Sequence, residues 1–313
     1  MPGMAKWTVD DIPDESGRTI VITGANSGLG LRSAEALAAK GARVLLACRN
    51  PEKAATALDS VQMLATDAPP EVVALDLADL SSVRAAAEDI AGRVDRLDML
   101  MNNAGVMALP KRQTTDGFEM QFGTNHFGHY ALTGLLLPLL LKADAPRVVT
   151  VSSQGHRMGR MRWDDFNWEQ GHYSKWLAYG QSKLANLLFA FELDRRARSA
   201  GTALVSAAAH PGYAATNLSL QGAQMTGNSM AERMSAMRDR LVAQSDAMGA
   251  LPQLYAVTMP DVCGGEYFGP DGLFESRGYP KRVVSNGTAR REEDGRRLWE
   301  ASEAATGVTY DWR

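Results

Sequence analysis

Short runs of β-branched and apolar residues recur at 19–23, 44–47, 72–75, 99–101 and 148–151, separated by longer segments whose apolar residues fall at helical spacing. The runs are nearly continuously apolar rather than alternating, which is the pattern of strands covered by helices on both faces and hence of a parallel sheet. Helical patterns occupy 29–40, 81–93 and a long stretch over 114–142. Right-handed crossovers between these elements give an α/β fold, a Rossmann-like doubly wound parallel sheet flanked by helices. A further helix is predicted from 175 to 200, then a strand over 203–209 and a turn at His210-Pro211-Gly212; a strand at 266–268 and a charged helix over 288–304 follow. No linker or repeat marks a second domain. One domain over 1–313 is expected, with 17–216 as the cofactor-binding and catalytic core. Within it, 217–250 is a Met-rich substrate-binding segment and 251–313 completes the sheet and a last helix.

Hydrophobic residues make up 45% of the 313 residues and charged ones 22%, so there is ample material for a core. A formal net charge of -3 gives no attraction for phosphate backbones and argues against nucleic acid as a partner. The two cysteines, Cys48 and Cys263, form neither a disulfide framework nor a metal cluster, which points to a reducing compartment. Residues 1–18 carry several acids and no apolar stretch, and the most apolar run, 132–141, is short and interrupted by Pro138. The expectation is a cytoplasmic protein with no integral membrane segment.

Thr23-Gly24-Ala25-Asn26-Ser27-Gly28-Leu29-Gly30 follows the first strand and opens a helical pattern. Glycines let a backbone turn tightly and approach a pyrophosphate, while the helix start offers free N–H groups. A strand-to-helix turn that merely needs glycine is the bland alternative, and the flanking elements weigh against it. Dinucleotide sites usually place an acid after the second strand to hold the ribose hydroxyls. Here the strand ends in Cys48-Arg49, and a guanidinium pairs with a phosphate, which favours NADP(H) over its unphosphorylated form. Arg49 as a solvated strand-end residue is the alternative. Asp76, after the third strand, is either an acceptor for the adenine amine or a turn residue.

Tyr179-Gly180-Gln181-Ser182-Lys183 puts a phenol and an ammonium on one helix face. A nearby ammonium favours phenolate, and an oxidised nicotinamide would add positive charge, so the Tyr179 pKa is expected to fall from about 10 towards the working range. Taken alone, such a pair is an ordinary surface feature. Ser152 and Ser153 end the fifth strand at the carboxyl edge where doubly wound sheets bind ligands, and Asn102-Asn103-Ala104-Gly105 ends the fourth at the same edge. Asn125 lies inside a predicted helix, where its amide competes for backbone hydrogen bonds; it marks either a functional kink or a tolerated polar site.

TGANSGLG, NNAG, Asn125, VSS and YGQSK together resemble the short-chain dehydrogenase/reductase family, in its compact single-domain branch, over nearly the whole chain. Arg49, GTNHFGHYALT, VSSQGH and LWEASEAATGV resemble more narrowly its retinol-dehydrogenase-like and WW-domain-oxidoreductase-like members. The resemblance implies Tyr179 as general acid/base, Lys183 as ribose anchor and pKa modulator, Ser153 as the substrate-orienting hydroxyl, and Asn125 as holder of a water on the proton route. The cofactor set it implies comprises Gly24, Asn26, Ser27, Gly28, Leu29, Gly30, Arg49, Asp76, Leu77, Asn103, Ala104, Gly105, Tyr179 and Lys183, with Pro211, Gly212 and Thr216 framing the nicotinamide. The expected activity is NADP(H)-dependent interconversion of a carbonyl and an alcohol on a lipophilic small molecule, of which Met225, Met230, Met234, Met237 and Met248 are candidate contacts, with packing of an amphipathic helix as the alternative for that segment. Relatives pair through the helices at 114–142 and 179–200, so a homodimer or homotetramer is a candidate assembly. A non-catalytic NADPH-binding sensor or scaffold is the main alternative. A serine hydrolase lacks its nucleophile elbow, with His156 the nearest base, and His126 and His129 lack further ligands for a metal, so no metal is expected.

Overall fold

The computed structural model describes residues 6–213 and 244–313. Eight strands form one sheet in the order β3-β2-β1-β4-β5-β6-β7-β8, with β1 Thr19–Thr23, β2 Arg43–Cys48, β3 Glu71–Ala74, β4 Met99–Asn102, β5 Arg147–Val151, β6 Val205–Ala209, β7 Tyr267–Pro270 and β8 Pro280–Arg282. Neighbouring strands run parallel except β7 and β8, which pair antiparallel, Phe268 opposite Arg282. Ile20, Val21 and Ile22 of β1 are all fully buried, which is why the central strands read as unbroken apolar runs.

The helices are α1 Gly28–Ala38, α2 Pro51–Gln62, α3 Leu80–Arg93, the single turn α4 Met120–Phe122, α5 Gly128–Leu140, α6 Lys175–Ser199, α7 Asp246–Thr258 and α8 Glu292–Thr306. Ala34 and Leu37 of α1, Ala54 and Val61 of α2 and Leu254 of α7 pack on one face of the sheet. Val83 and Ile90 of α3, Tyr130 and Leu136 of α5 and Phe189 of α6 pack on the other. Strand order reverses between β1 and β4, so the carboxyl ends of β1, β4 and β5 open a crevice at the switch point.

Three expectations need correction. The long helix over 114–142 is not continuous: Gln113 and Glu119 form an isolated antiparallel bridge, helix begins at Met120, and Gly123–Phe127 is a π-helical turn in which the Gly128 N–H reaches the Gly123 carbonyl. The extra residue in that turn is the kink that an interior asparagine can tolerate. α2 was not anticipated, although Asn50 caps Lys53 N at 2.8 Å and Pro51 takes the first helical position. α7 was not anticipated either, because Pro252 interrupts its pattern. The Met-rich segment 217–250 and Thr216 lie outside the described residues except for 244–250.

Candidate active site

The turn after β1 has the shape a pyrophosphate requires. Gly24 has φ +67° and lies against Ala104, and a Cβ on Gly30 would press into the Gly24 carbonyl and come within 2.6 Å of Asn103 Nδ2. Ser27 makes no side-chain cap to α1, so the first N–H groups of that helix have no partner from it. Asn26, Ser27, Gly28 and Leu29 are half-buried along this turn. Among the described residues, a Cβ on Gly28 would meet nothing nearer than Asp246 Oδ2 at 3.9 Å.

Arg49 leaves the end of β2 with its side chain 66% exposed, its guanidinium 3.9 Å from Asp76 Oδ2. At that distance the pair is loose, and the guanidinium is available to another anion. Asp76 is a turn residue: its Oδ1 accepts from Ala78 N at 3.0 Å and its N–H donates to Ser82 Oγ at 2.9 Å. Leu77 is buried, its main chain against Gly128 of α5.

Asn103 and Ala104 donate their N–H groups to Thr23 Oγ1, each at 2.9 Å, locking the end of β4 to the end of β1. Gly105 follows, and a Cβ there would lie 3.1 Å from Asn125 Oδ1 and 3.4 Å from Lys183 Nζ. The Asn125 side chain, buried in the π turn, donates from Nδ2 to Val106 O and to Ser182 Oγ, both at 2.9 Å, and accepts from Val106 N at 2.7 Å. Asn125 therefore ties the β4 loop to the stretch of α6 that carries Tyr179 and Lys183.

Ser153 Oγ and the Tyr179 ring both lie against Gly155, and Ser153 Oγ accepts from Gly155 N at 3.1 Å. Lys183 Nζ donates to Val151 O at 3.1 Å and sits 5.8 Å from the Tyr179 ring centroid. Burial pulls the Lys183 ammonium down to about 8. Burial pushes the Tyr179 phenol up to about 12, against the opposing pull of Ser153. The expected fall in the phenol pKa is thus reversed in the protein alone, because desolvation outweighs any help from a lysine that is itself desolvated. The result is a phenol that keeps its proton, with a serine hydroxyl close by and an ammonium beside its ring.

Pro211 and Gly212 follow β6 on the same side. Pro211 O accepts from Gln244 Nε2 at 2.6 Å, and Tyr213 N donates to Ser276 O at 2.7 Å. The loop from Gly272 to Gly278 so lies beside this turn, and Gln154 Nε2 donates to Phe274 O at 2.7 Å. Leu273 and Phe274 are 77% and 83% exposed, apolar groups next to the residue after Ser153.

The remaining histidines have other duties. His156 Nδ1 donates to the Ser153 carbonyl at 2.6 Å, not to its hydroxyl. His126 Nε2 meets Ser302 Oγ at 2.8 Å while His129 faces Thr23 and Asn125, so the two do not converge on one point. No group of three or more His, Cys, Asp or Glu side chains among the described residues is arranged to hold a metal. Sequence reasoning missed Thr23, His129 and Gln253. Gln253, buried on α7, donates to Asn103 Oδ1 at 3.2 Å and to Ser33 Oγ at 2.8 Å. Its only sequence signal is a polar residue amid the apolar ones of a helix.

A doubly wound sheet with a glycine turn after β1 and a Ser–Tyr–Lys cluster at the end of β5 defines a Rossmann-like oxidoreductase. The sequence model of the family described as short chain dehydrogenase matches residues 18–225. Human retinol dehydrogenase 13 is 39% identical over 295 residues, covering 93% of this chain and 85% of that protein. A crystal structure of an uncharacterised protein from Mycobacterium paratuberculosis is 43% identical, with a TM-score of 0.81 over 98% of this chain and 100% of that one. A short chain dehydrogenase from Shigella flexneri, solved in complex with NADP, is 25% identical, with a TM-score of 0.62 over 81% of this chain and 97% of its own. The chain belongs to the short-chain dehydrogenase family and resembles its retinol dehydrogenases. No helix of the described residues is long and apolar enough to cross a membrane.

Proposed function

We propose that the protein uses NADP(H) to interconvert a carbonyl and an alcohol on a lipophilic small molecule, with Tyr179 as the general acid and base. The observation that carries this reading is the convergence of Ser153 Oγ and the buried Tyr179 ring against Gly155, with Lys183 Nζ 5.8 Å from that ring. The cradle fits a dinucleotide: Gly24 and Gly30 leave no room for side chains, and among the described residues nothing crowds the start of α1 and Lys183 gives only one of its three N–H donors to a protein acceptor. Arg49 is placed to pair with a ribose phosphate, and Gly105, Asn103, Pro211 and Gly212 would border the nicotinamide end. When bound, the nicotinamide supplies or accepts the hydride.

The chain's own residues handle the rest. Ser153 Oγ orients the substrate oxygen and Tyr179 gives it a proton during reduction, or removes one during oxidation. Lys183 places a positive charge next to the phenol and stabilises the phenolate left after transfer. Asn125 fixes the neighbouring backbone and is the candidate holder of a water that refills the proton. Exposed Leu273 and Phe274 beside Gln154, together with the retinol dehydrogenase relatives, support a lipophilic substrate.

The test is loss of NADPH absorbance with a panel of lipophilic aldehydes and ketones. Turnover that Tyr179→Phe lowers by about 10²-fold or more, with NADPH binding retained, supports the reading. Tight NADPH binding with no turnover across the panel overturns it and favours a sensor or scaffold.

A further inference from the structure

His129 lies one turn beyond Asn125 and is buried, yet it touches neither the expected cofactor edge nor the substrate groups. Its Nδ1 is 3.0 Å from the main-chain carbonyl of Asn125 and its Nε2 is 2.8 Å from Thr23 Oγ1. A carbonyl can only accept, so Nδ1 carries the hydrogen. Thr23 Oγ1 already accepts from the N–H groups of Asn103 and Ala104, which uses both lone pairs. Its own hydrogen has Met101 O at 3.4 Å as the other acceptor, a far longer contact than His129 Nε2. The only assignment that satisfies every group is a neutral ring that donates to Asn125 and accepts from Thr23. Burial and the nearby Lys183 charge both disfavour a second proton on it.

We propose that His129 is a positioning residue: by bridging the Thr23 hydroxyl and the Asn125 carbonyl, it sets the glycine turn and the β4 loop against the π turn that carries Asn125. Thr23 is the residue before Gly24, and its carbonyl also accepts from Asn103 Nδ2 at 2.8 Å, so one hydroxyl and one carbonyl align both walls of the dinucleotide crevice. His129 holds that hydroxyl in the one rotamer that leaves both lone pairs for the β4 loop. At its other end it braces the π turn whose Asn125 side chain grips Val106 and Ser182. Binding of the dinucleotide and placement of Lys183 and Tyr179 are thereby coupled through a ring that contacts neither ligand. This rests on the NADP(H) reading above.

Purified full chain carrying His129→Leu, Thr23→Val, both together, or Thr23→Ser tests it, with the NADPH dissociation constant measured by fluorescence well below each variant's melting temperature. His129→Leu is expected to weaken NADPH binding about tenfold, Thr23→Val at least as much because it also removes the acceptor of the Asn103 and Ala104 N–H groups, and the double variant no more than Thr23→Val alone. Thr23→Ser keeps the hydroxyl and is expected to restore binding to near wild type. In turnover, His129→Leu is expected to lower kcat while the carbonyl KM stays put. Single effects that multiply in the double variant, or His129→Leu binding NADPH as wild type does, overturn the proposal. If His129→Leu does not fold, His129→Phe, which fills the space without ring nitrogens, decides: wild-type NADPH affinity in that variant overturns it. If the wild type binds NADPH but reduces no carbonyl, the functional reading fails while the binding comparison still judges His129.

Discussion

Ser152 donates its hydroxyl to the main-chain carbonyl of Lys183 at 2.8 Å, so the first of two adjacent serines braces the helix whose tyrosine the second one meets. Strand geometry explains the division: successive side chains leave the end of β5 on opposite sides, and only Ser153 faces the crevice.

Ser153→Ala is therefore expected to lower kcat for carbonyl reduction by about a hundredfold with the melting temperature little changed. Ser152→Ala, which removes a buried second hydrogen bond to a helical carbonyl, is expected to cost about 1 kcal/mol of stability and leave most of the turnover in the folded fraction. Steady-state kinetics and thermal melts of the two variants check the assignment, and a reversed pattern would contradict it.

Arg49 is exposed and loosely paired, so exchanging it should alter cofactor choice without harming the fold. Arg49→Asp is expected to shift the ratio of kcat/KM for NADPH over NADH by about tenfold to a hundredfold towards NADH. An unchanged ratio removes Arg49 from the ribose-phosphate role.

His126, His129 and His156 are held neutral by burial, their pKa values drawn down to about 3, about 4 and about 4. The folded values lie below the unfolded one near 6.5, so the unfolded chain binds more protons as pH drops through that window. Their contribution is complete above pH 6.5 and is lost as pH falls towards 4. Each should remove about 1 kcal/mol between pH 7 and pH 5.5. Buried Glu119, its carboxyl pushed up by desolvation, acts in the opposite sense, so the histidine share is read by difference. Urea unfolding at both pH values should show a smaller acid loss in His126→Leu than in wild type; an equal loss counts against this account.

Every residue of α6 from Ala178 to Asp194 is buried, as is every residue from Gln121 to Gly134. The chain's own C-terminal part does the covering: Trp299 of α8 stacks on Phe189 at 5.9 Å and carries the Arg196 guanidinium at 4.4 Å, and Tyr310 Oη donates to Tyr130 O at 2.7 Å. Over these stretches the two helices have no free face, so a subunit interface through them is not expected. Trp299→Ala, which opens a large cavity there, is expected to cost about 3–5 kcal/mol. A wild-type dimer whose cross-links join these stretches, or a Trp299→Ala variant as stable as wild type, would refute the covering role.

The sequence by itself determined the strand rhythm, the glycine turn, Arg49 at the end of β2 and the Tyr179–Lys183 spacing. These are local facts: residues 19–23 must be strand because both faces are apolar, and four residues along a helix always share a side. It also marked Asn125 as anomalous without saying how, since a π turn depends on what packs around it. Only the tertiary structure decided that burial pushes the phenol up in the protein alone and that a histidine 106 residues from Thr23 in the chain closes the bridge to Asn125. Desolvation and long-range hydrogen bonds depend on neighbours that folding alone brings together, and no spacing along the chain encodes them.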